Sequence, residues 1–377
     1  MLTQTFHILK EFPSDESSRL NAENSSDKRA KADDRCPMPY MLDFGDTAIL
    51  VCCGESRFLL RPNGTFFKRS VEIDEDMNLA LFLRGNETIF RAETMLKSMF
   101  YHQGRINTTL AECVRYIEES SLCNKIENVP KSRIVLHILT DYTSIAVIKR
   151  IFDHWKLHDF VVRYYLVDQE LVMSVDADVL FNANIHELWE HIDKFNAENV
   201  IGFSYEPDPS QCNPVGNSVI PPHGINGGVT IYRLDRMIDV SFDEKWRQIS
   251  QKYIEKRQPL EIGEQTLFKD LINQWPHLYY KLPCEWNVQV SFDEATKCCP
   301  VTWPIRNPNE ENCFQHAANV AKLIHFNYGP KPASVKPSVV SWTFPKHYDG
   351  YLSVHSLRKR FLEAYKYFNN IPKYCFW

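Results

Sequence analysis

Two aspartates one residue apart, Asp176 and Asp178, directly follow the apolar run Leu171–Val175. The run predicts a buried strand, so the two carboxylates come where that strand ends. Ligands of an open α/β sheet bind beyond the carboxyl ends of its strands. Carboxylates at this spacing can bind one divalent cation, or one cation and a ribose. Short Asp motifs are common, and a solvated turn explains the pair equally well when it is taken alone.

A histidine at the end of a second predicted strand offers a ligand of a different type. His325 ends the apolar segment 323–325, and Gly329 and Lys331 follow it closely. A neutral imidazole can bind a metal. The glycine predicts a turn after which Lys331 can reach phosphate oxygens. With the Asp pair, His325 completes a set of two oxygens and one nitrogen that suits Mn²⁺. A structurally held histidine and a solvated lysine are the simpler alternative.

The segment Gly224–Tyr232, which contains Asn226-Gly227-Gly228, predicts a tight turn that leads into another strand. Its glycines let the backbone approach a ligand closely. The amide of Asn226 can bind sugar hydroxyls. An ordinary β-turn accounts for the two glycines nearly as well.

Glu264 and Gln265 come just before a predicted helix over 267–272. A carboxylate and an amide at the start of a helix suit hydroxyl recognition. Helix capping, with Glu264 compensating the helix dipole, is the simpler interpretation. These residues gain a functional meaning only in combination with the other motifs.

The composition is that of a folded protein without a broad nucleic-acid surface. The chain has 377 residues, of which 44% are hydrophobic and 13% aromatic, which is enough for a substantial core. The length fits one large α/β domain with appendages, as well as two or three domains. The formal net charge of −5 argues against nucleic acid as a partner.

Cysteines and glycosylation acceptors favour an oxidising compartment. The 11 cysteines include no pair at CxxC spacing, which disfavours a structural zinc site. N-x-Ser/Thr acceptors begin at Asn24, Asn63, Asn86 and Asn107. Together they predict the lumen of the secretory pathway, Golgi or ER, with some disulfides. The odd cysteine count leaves at least one thiol free or paired with another chain.

Residues 1–34 show no basic region followed by an apolar one, and other apolar runs are too short to span a bilayer. We therefore expect either that a targeting signal lies outside this sequence or that the lumenal prediction is wrong.

Strands and helices alternate along the main part of the chain. Apolar runs predict strands at 79–83, 134–139 and 160–166, and amphipathic segments predict helices over 91–102, 144–155 and 184–195. This alternation predicts a parallel, doubly wound sheet. We divide the chain into a disordered tail or stem, a small β-rich segment, a main α/β domain and a C-terminal helical extension. Their bounds are 1–40, 41–76, 77–340 and 341–377.

One connection breaks this alternation. Only Asp168, Gln169 and Glu170 separate the strand ending near Val167 from the strand starting at Leu171. Parallel neighbours need a crossover of a dozen or more residues. The sequence therefore predicts either an antiparallel hairpin here or the loss of a crossover helix.

Taken together, the motifs resemble those of retaining glycosyltransferases of family 8, which have the GT-A fold. The segments that carry this resemblance, in order, are Asp176–Asp178, Asn226–Gly228, Glu264–Gln265 and His325–Pro332. The segments Leu282–Gln289 and Ile185–Trp189 are also similar to those in the xylosyltransferase domain of LARGE-type enzymes and in glucoside xylosyltransferases. The resemblance implies a Rossmann-like, mixed and mainly parallel sheet with helices on both faces.

The resemblance also implies an activity. It is the Mn²⁺-dependent transfer of a sugar, with xylose favoured, from a UDP-sugar to a glycan or glycoprotein acceptor with retention. A membrane anchor is expected from the family. The implied metal ligands are Asp176, Asp178 and His325. The implied donor-binding residues are Asp176, Gly227, Gly228, Gly329 and Lys331. The implied catalytic residues are Asn226, Glu264 and Gln265. Since no nucleophile is evident, we expect front-face attack by the acceptor.

The chain departs from the family pattern in two places. The family usually has Asp-Gln-Asp where this chain has Glu264-Gln265-Thr266. The family also carries a helix containing Tyr and Lys where this chain has only the short 168–170 connection. The alternative function is therefore a catalytically weak or inactive lumenal protein of the same fold that binds UDP or a glycan.

Overall fold

The computed structural model describes most of the chain after residue 75. The described ranges are 76–118, 133–141, 143–152, 155, 160–164, 169–207, 210–291, 295–303, 319–327, 331–332 and 352–376, with four short strands between 40 and 68. The strands are β1 (Tyr40–Asp43), β2 (Ala48–Val51), β3 (Phe58–Leu60), β4 (Phe66–Lys68), β5 (Met77–Leu83), β6 (Ile134–Thr140), β7 (Phe160–Arg163), β8 (Leu171–Val175), β9 (Val179–Phe181), β10 (Ile201–Tyr205), β11 (Ile225–Arg233), β12 (Tyr279–Lys281), β13 (Val288–Gln289) and β14 (Leu323–His325).

The α-helices alternate with the strands over the first half of the main domain. They are α1 (Asn86–His102), α2 (Ala111–Glu118), α3 (Ile145–Phe152), α4 (Ile185–Trp189), α5 (Leu234–Asp239), α6 (Phe242–Lys256), α7 (Glu264–Gln274) and α8 (Val354–Asn370). The predicted helix over 184–195 changes at Glu190 into a 3-10 helix that ends at Lys194.

A seven-stranded sheet forms the centre of the molecule, in the order β12-β10-β11-β8-β5-β6-β7. Strands β8, β5, β6 and β7 are parallel neighbours, and β12 is parallel to β10. Within this sheet β11 alone runs against its neighbours, β8 and β10. The predicted mixed, mainly parallel sheet is therefore confirmed. A smaller sheet has the order β13-β14-β9. Its strand β9 follows β8 of the central sheet after a short turn.

Helices cover both faces of the central sheet. Successive residues of β11 enter two separate hydrophobic clusters, because side chains of a strand alternate between the faces. Val229 and Ile231 join the cluster that contains buried residues of α1, α3 and α8. Tyr232 joins the cluster that contains Trp246 of α6 and Phe268 of α7. This arrangement confirms the α/β architecture implied by the family resemblance.

The connection between β7 and β8 differs from the hairpin prediction. The two strands do not pair, because β5 and β6 lie between them in the sheet. Both are parallel to the strands beside them, so the antiparallel hairpin is wrong. In the sheet, β7 and β8 are three strand spacings apart, about 14 Å. Only the seven residues 164–170 separate the two strands in sequence, fewer than the dozen or more of a usual crossover.

The C-terminal residues are attached to the segment that follows α1. Cys113 of α2 forms a disulfide with Cys375, and the backbone N–H of Asn107 donates to the carbonyl of Cys375 at 2.6 Å. The buried ammonium of Lys97 donates to the carbonyl of Asn369 at the end of α8. The C-terminal helix is thus joined to the main domain by covalent and polar contacts.

The prediction of disulfides is confirmed. Besides Cys113–Cys375, described cysteines form the pairs Cys212–Cys298 and Cys284–Cys299. The adjacent residues Cys298 and Cys299 therefore bond to different partners.

Before the main domain, β1 pairs with β2 and β3 with β4, both antiparallel. The domain limits themselves stay a prediction. Among the described residues, no helix has the length and apolar character needed to cross a bilayer.

We predict that the Cys113–Cys375 disulfide contributes more stability than Cys284–Cys299. Its half-cystines are 262 residues apart, against 15 for the other pair, and a longer closed loop restricts the unfolded chain more. The double variant C113S/C375S should lose about 5 kcal/mol of unfolding free energy, and the control C284S/C299S about 3 kcal/mol. Urea unfolding under non-reducing conditions measures both. An equal or smaller loss for C113S/C375S would contradict this prediction.

Candidate functional site

The Asp pair lies at the junction of the two sheets. Asp176 and Asp178 occupy the short turn between β8 and β9. The N–H of Asp176 donates to the carbonyl of Gly228 in β11 at 3.0 Å. The carbonyl of Asp178 accepts from the N–H of Phe326, next to β14, at 2.9 Å. The backbone of the turn is thereby fixed to one strand of each sheet.

His325 meets the Asp pair because β14 pairs antiparallel with β9, with His325 opposite Val179. Its Nε2 lies 3.5 Å from Oδ2 of Asp176 and 3.4 Å from Oδ1 of Asp178. One ligand atom from each of the three residues lies within 4.8 Å of the others. Two carboxylates and one imidazole form a donor set that Mn²⁺ accepts. The structure therefore brings together the three predicted metal ligands in a geometry that fits one cation.

The three side chains differ in exposure. His325 is buried, the Asp178 side chain is 13% exposed and the Asp176 side chain is 42% exposed. Burial disfavours the charged carboxylate of Asp178, but nearby His325 and Lys331 outweigh it and hold its pKa well below the ordinary value. Burial likewise disfavours protonated His325, but Asp178 and Asp176 outweigh it and raise the pKa of the imidazole. The site therefore favours the ionised carboxylate of Asp178 and the protonated imidazole of His325.

Lys331 also reaches the site. Its ammonium donates to Oδ2 of Asp178 at 2.5 Å and to the carbonyl of Phe326 at 3.2 Å. A cation here can stabilise the negative charge of a bound diphosphate as well as that of Asp178. Gly329, predicted to bind the donor, lies outside the described residues.

Two amide side chains orient the imidazole of His325. Its Nδ1 lies 3.2 Å from Oδ1 of Asn226 and 3.2 Å from Oδ1 of Asn287. An amide oxygen can only accept, so this network assigns the proton to Nδ1. In the neutral imidazole, the form that binds a metal, Nε2 then directs its lone pair toward the Asp pair. Metal-binding histidines are commonly fixed in this way by a second hydrogen bond.

The predicted turn and the strand that follows it are both present, but the turn ends at Gly224, whose N–H donates to the carbonyl of Pro221 at 2.9 Å, and Asn226–Gly228 lie within β11. The pairing of β11 with β10 is irregular here: Phe203 lies opposite Thr230, whereas the next residue, Ser204, lies opposite Asn226. Gly227 and Gly228 therefore lie at an irregularity in the strand pairing and not in a turn that reverses the chain. A side chain at position 228 would overlap the ring of His325, so the absence of a Cβ makes room for the histidine.

Asn226 is buried and its amide contacts protein groups. Its Oδ1 accepts from the N–H of Gly228 at 2.9 Å and from Nδ2 of Asn287 at 2.8 Å, besides its contact with His325. Its Nδ2 donates to Oε2 of Glu206 at 2.7 Å. The oxygen of Asn226 thus already has several protein donors in this structure.

Glu264 and Gln265 also lie beside β11. They form the first turn of α7, and Oε1 of Gln265 accepts from the N–H of Gly227 at 3.1 Å. Oε1 of Glu264 lies 3.9 Å from where a Cβ of Gly227 would be. The hydroxyl of Thr266 accepts from the N–H of Ile262. The two predicted motifs are therefore neighbours, with both side chains of the Glu-Gln pair half-buried.

Sequence reasoning missed Glu206 and gave no role to Asn287. Glu206 directly follows β10, so the strand-end argument that identified Asp176 could have identified it too. Burial raises the pKa of Glu206, against the effect of its hydrogen bond from Asn226. Asn287 lies in a segment noted only for its resemblance to xylosyltransferases, and its contact with His325 depends on tertiary structure.

Comparison with known proteins assigns the chain to a family. Residues 113–333, more than half of the chain, match glycosyl transferase family 8. The chain belongs to glycosyl transferase family 8. In this family 8 protein, the cluster of Asp176, Asp178 and His325 can hold a metal ion at the carboxyl end of β8.

Curated relatives of this family 8 chain include two similar enzymes. Xylosyl- and glucuronyltransferase LARGE2 of Mus musculus is 24% identical over 242 residues, which cover 55% of this chain and 33% of the relative. Xylosyl- and glucuronyltransferase LARGE1 of Danio rerio is 28% identical over 173 residues, which cover 45% of this chain and 21% of the relative. The matched part is thus one third or less of each relative.

Solved structures similar to this chain include mouse xyloside xylosyltransferase 1 in its apo form. That structure has a TM-score of 0.45 and 16% identity, over 67% of this chain and 98% of its own. The galactosyltransferase LgtC, in complex with donor and acceptor sugar analogues, has a TM-score of 0.45 and 13% identity. Its match covers 79% of this chain and 97% of its own.

We predict that an alanine is tolerated at Gly227 but not at Gly228. A Cβ at 228 would overlap the imidazole of His325 and lie 2.9 Å from Oδ1 of Asn226, whereas a Cβ at 227 would have its nearest neighbour at 3.8 Å. Gly228→Ala should lower the free energy of unfolding by about 1–3 kcal/mol. Gly227→Ala should stay within about 1 kcal/mol of the wild type. Chemical denaturation measures both, and similar losses for the two variants would refute the steric argument.

Proposed function

We propose that this protein is a retaining, Mn²⁺-dependent glycosyltransferase that moves a sugar from a UDP-sugar to a glycan or glycoprotein acceptor. The observation that carries this proposal is the convergence of Asp176, Asp178 and His325 at the junction of the two sheets. Lys331 adds a positive charge on the same side chain cluster. Family membership supports the reaction class.

The difference in exposure supports distinct roles for the two aspartates. Asp178 is largely buried between His325 and Lys331, which suits a metal ligand. Asp176 is more exposed, so its carboxylate can contact both the ion and a ribose hydroxyl of UDP. His325 supplies the nitrogen ligand through Nε2. Gly227, Gly228 and Gly329 complete the proposed donor-binding set.

The leaving group determines what the positive charges do. Held by Asp176, Asp178 and His325, Mn²⁺ would supply Lewis-acid stabilisation of the charge on the diphosphate leaving group. Lys331 can shift from Asp178 to phosphate oxygens and stabilise the same developing charge. We assign the binding of donor-sugar hydroxyls to Gln265 and Glu264, which are half-buried beside Gly227. The acceptor then attacks from the face that UDP leaves.

Asn226, proposed to act in catalysis, lies behind the metal site. Because its oxygen accepts from Gly228, Asn287 and His325, we assign it an indirect role through the imidazole. The sugar contacts fall instead to Gln265 and Glu264.

Xylose is the proposed donor sugar, because the similar curated relatives are named as xylosyl- and glucuronyltransferases. The proposed compartment is the Golgi or ER lumen. The disulfides Cys113–Cys375, Cys212–Cys298 and Cys284–Cys299 support it, since such bonds persist in oxidising compartments.

Two observations favour the alternative of a catalytically weak or inactive binding protein. Thr266 stands where the family usually has a carboxylate, and its hydroxyl accepts from the backbone of Ile262. Residues 164–170 also join two parallel strands without the length of a crossover helix. The family resemblance implies that the helix missing here contributes to the donor pocket, so its loss bears on turnover more than on metal binding.

We expect Asp178→Ala and His325→Ala to abolish Mn²⁺-dependent UDP binding. Each variant removes one ligand atom of the proposed ion, so Mn²⁺ affinity should fall by more than about 100-fold, beyond the usual effect of an outer-shell change. Isothermal titration with and without EDTA measures UDP and Mn²⁺ binding. Asp243→Ala, which removes a carboxylate from α6, is the charge-matched control and should bind normally. Unchanged Mn²⁺ binding by Asp178→Ala would disprove the metal assignment.

We expect Mn²⁺-dependent hydrolysis of UDP-xylose to exceed that of UDP-glucose, UDP-galactose and UDP-glucuronate. A pocket shaped for a pentose discriminates against an added carbon substituent by roughly 10–200-fold in kcat/KM. Release of UDP from each donor, measured without an acceptor and then with xyloside and glucoside acceptors, tests this order. Binding of Mn²⁺ and UDP without turnover of any donor would instead favour the binding-protein alternative.

A further inference from the structure

Glu206 lies behind the metal site, separated from it by one side chain. It follows β10 directly, and its N–H donates to the carbonyl of Gly224 at 3.1 Å. Its Oε2 accepts from Nδ2 of Asn226 at 2.7 Å. Asn226 in turn presents Oδ1 to Nδ1 of His325 at 3.2 Å. A carboxylate, an amide and an imidazole thus form a continuous chain that ends at the predicted metal.

We propose that Glu206 is a positioning residue that, through Asn226, directs Nε2 of His325 toward the metal. This inference rests on the metal site of the proposed function and deepens it. Glu206 does not contact the ion or the substrate. Its role is to determine which end of the Asn226 amide faces the histidine.

The argument depends on the hydrogen-bonding capacity of each group. An ionised carboxylate only accepts, so Glu206 binds the NH₂ end of the Asn226 amide. The oxygen of that amide must then face His325, where it accepts the proton of Nδ1. If the amide were reversed, its NH₂ end would meet Nδ1 and its oxygen would meet the Glu206 carboxylate. The proton on Nδ1 would then meet a donor at Asn226 and keep only the Asn287 oxygen as its acceptor, so the tautomer with its lone pair toward the Asp pair would be disfavoured.

Two other donors support the same orientation. The N–H of Gly228 and Nδ2 of Asn287 also donate to Oδ1 of Asn226, at 2.9 and 2.8 Å. In both of these bonds the donor and the acceptor are neutral. The bond from Asn226 to the Glu206 carboxylate is instead charge-assisted and short. A negative charge at the far end of the chain also strengthens the contact between Asn226 and His325, because linked hydrogen bonds polarise one another. Outer-shell partners of this kind raise the basicity of a metal-binding histidine.

The test compares Glu206→Met with Glu206→Gln in the full chain. Methionine has a similar size but no acceptor, so Mn²⁺ affinity should fall by about 10-fold or more. Glutamine retains an oxygen that can accept from Asn226 but lacks the charge, so Glu206→Gln should lose clearly less Mn²⁺ affinity than Glu206→Met. Electron paramagnetic resonance of free Mn²⁺ gives the affinity, and thermal unfolding in EDTA shows whether each variant is folded.

A spectroscopic readout separates positioning from general destabilisation. In the wild type, electron spin echo modulation of bound Mn²⁺ should show coupling to an imidazole ¹⁴N. Glu206→Met should weaken or remove this coupling in the fraction that still binds Mn²⁺. Glu206→Gln should retain it.

A reciprocal exchange keeps the test informative if Glu206→Met does not fold. Asn226→Asp alone places two carboxylates against each other. The double variant N226D/E206Q restores a donor and an acceptor in reverse order, since the glutamine amide introduced by E206Q then donates to the new aspartate. It should bind Mn²⁺ at least about 10-fold more tightly than Asn226→Asp.

The outcomes distinguish this inference from the proposed function. Wild-type affinity and ¹⁴N coupling in Glu206→Met would overturn the role of Glu206 while leaving the metal site intact. So would a double variant no better than Asn226→Asp. If the wild type itself bound no Mn²⁺, the metal site and the role of Glu206 would both be overturned.

Discussion

The site depends on two backbone hydrogen bonds on either side of Ala177. Asp176 donates to Gly228 of β11, and Asp178 accepts from Phe326 beside β14. One bond joins the turn to the central sheet and the other joins it to the small sheet. The spacing between the carboxylates and the imidazole is therefore fixed by sheet geometry rather than by flexible side chains. Sites supported in this way keep their ligands close to the productive geometry.

Charge balance explains how a largely buried carboxylate persists at this junction. Burying Asp178 alone would be costly, but His325 and Lys331 contact opposite oxygens of the same carboxylate. Asp176 also lies near His325, but its more exposed carboxylate needs less compensation because solvent screens its charge. The buried part of the site is thus arranged around the carboxylate of Asp178. The carboxylate of Asp176 is the one more accessible to a ligand from solvent.

The parts of the fold that depend on local pattern could be predicted from the sequence. The apolar runs that became β5, β6 and β8 predicted their strands, and the strand-end rule identified the Asp pair. The pairing of β9 with β14, which brings His325 to that pair, is non-local, and no local pattern predicts it. The donor types and the family resemblance predicted only that His325 belongs with the Asp pair. Strand order is also non-local. A short connection therefore suggested a hairpin, although β5 and β6 lie between the strands it joins.

The glycines of β11 were misread for a related reason. Glycine usually indicates a turn, and the sequence around Asn226 contains nothing that shows a ring lying against the strand. The ring belongs to a residue far along the chain. Glu206 was missed because no motif includes it, although its position after β10 is as informative as that of Asp176 after β8.

The slot that Gly228 leaves for His325 links the evolution of these two positions. A lineage that keeps the histidine cannot accept a side chain at 228, whereas a lineage that has lost the histidine is released from that restriction. Glycine at 228 together with histidine at 325 would therefore be inherited or lost as a unit. Among homologues whose acidic pair has drifted, a larger residue at 228 would mark those in which the site has been abandoned.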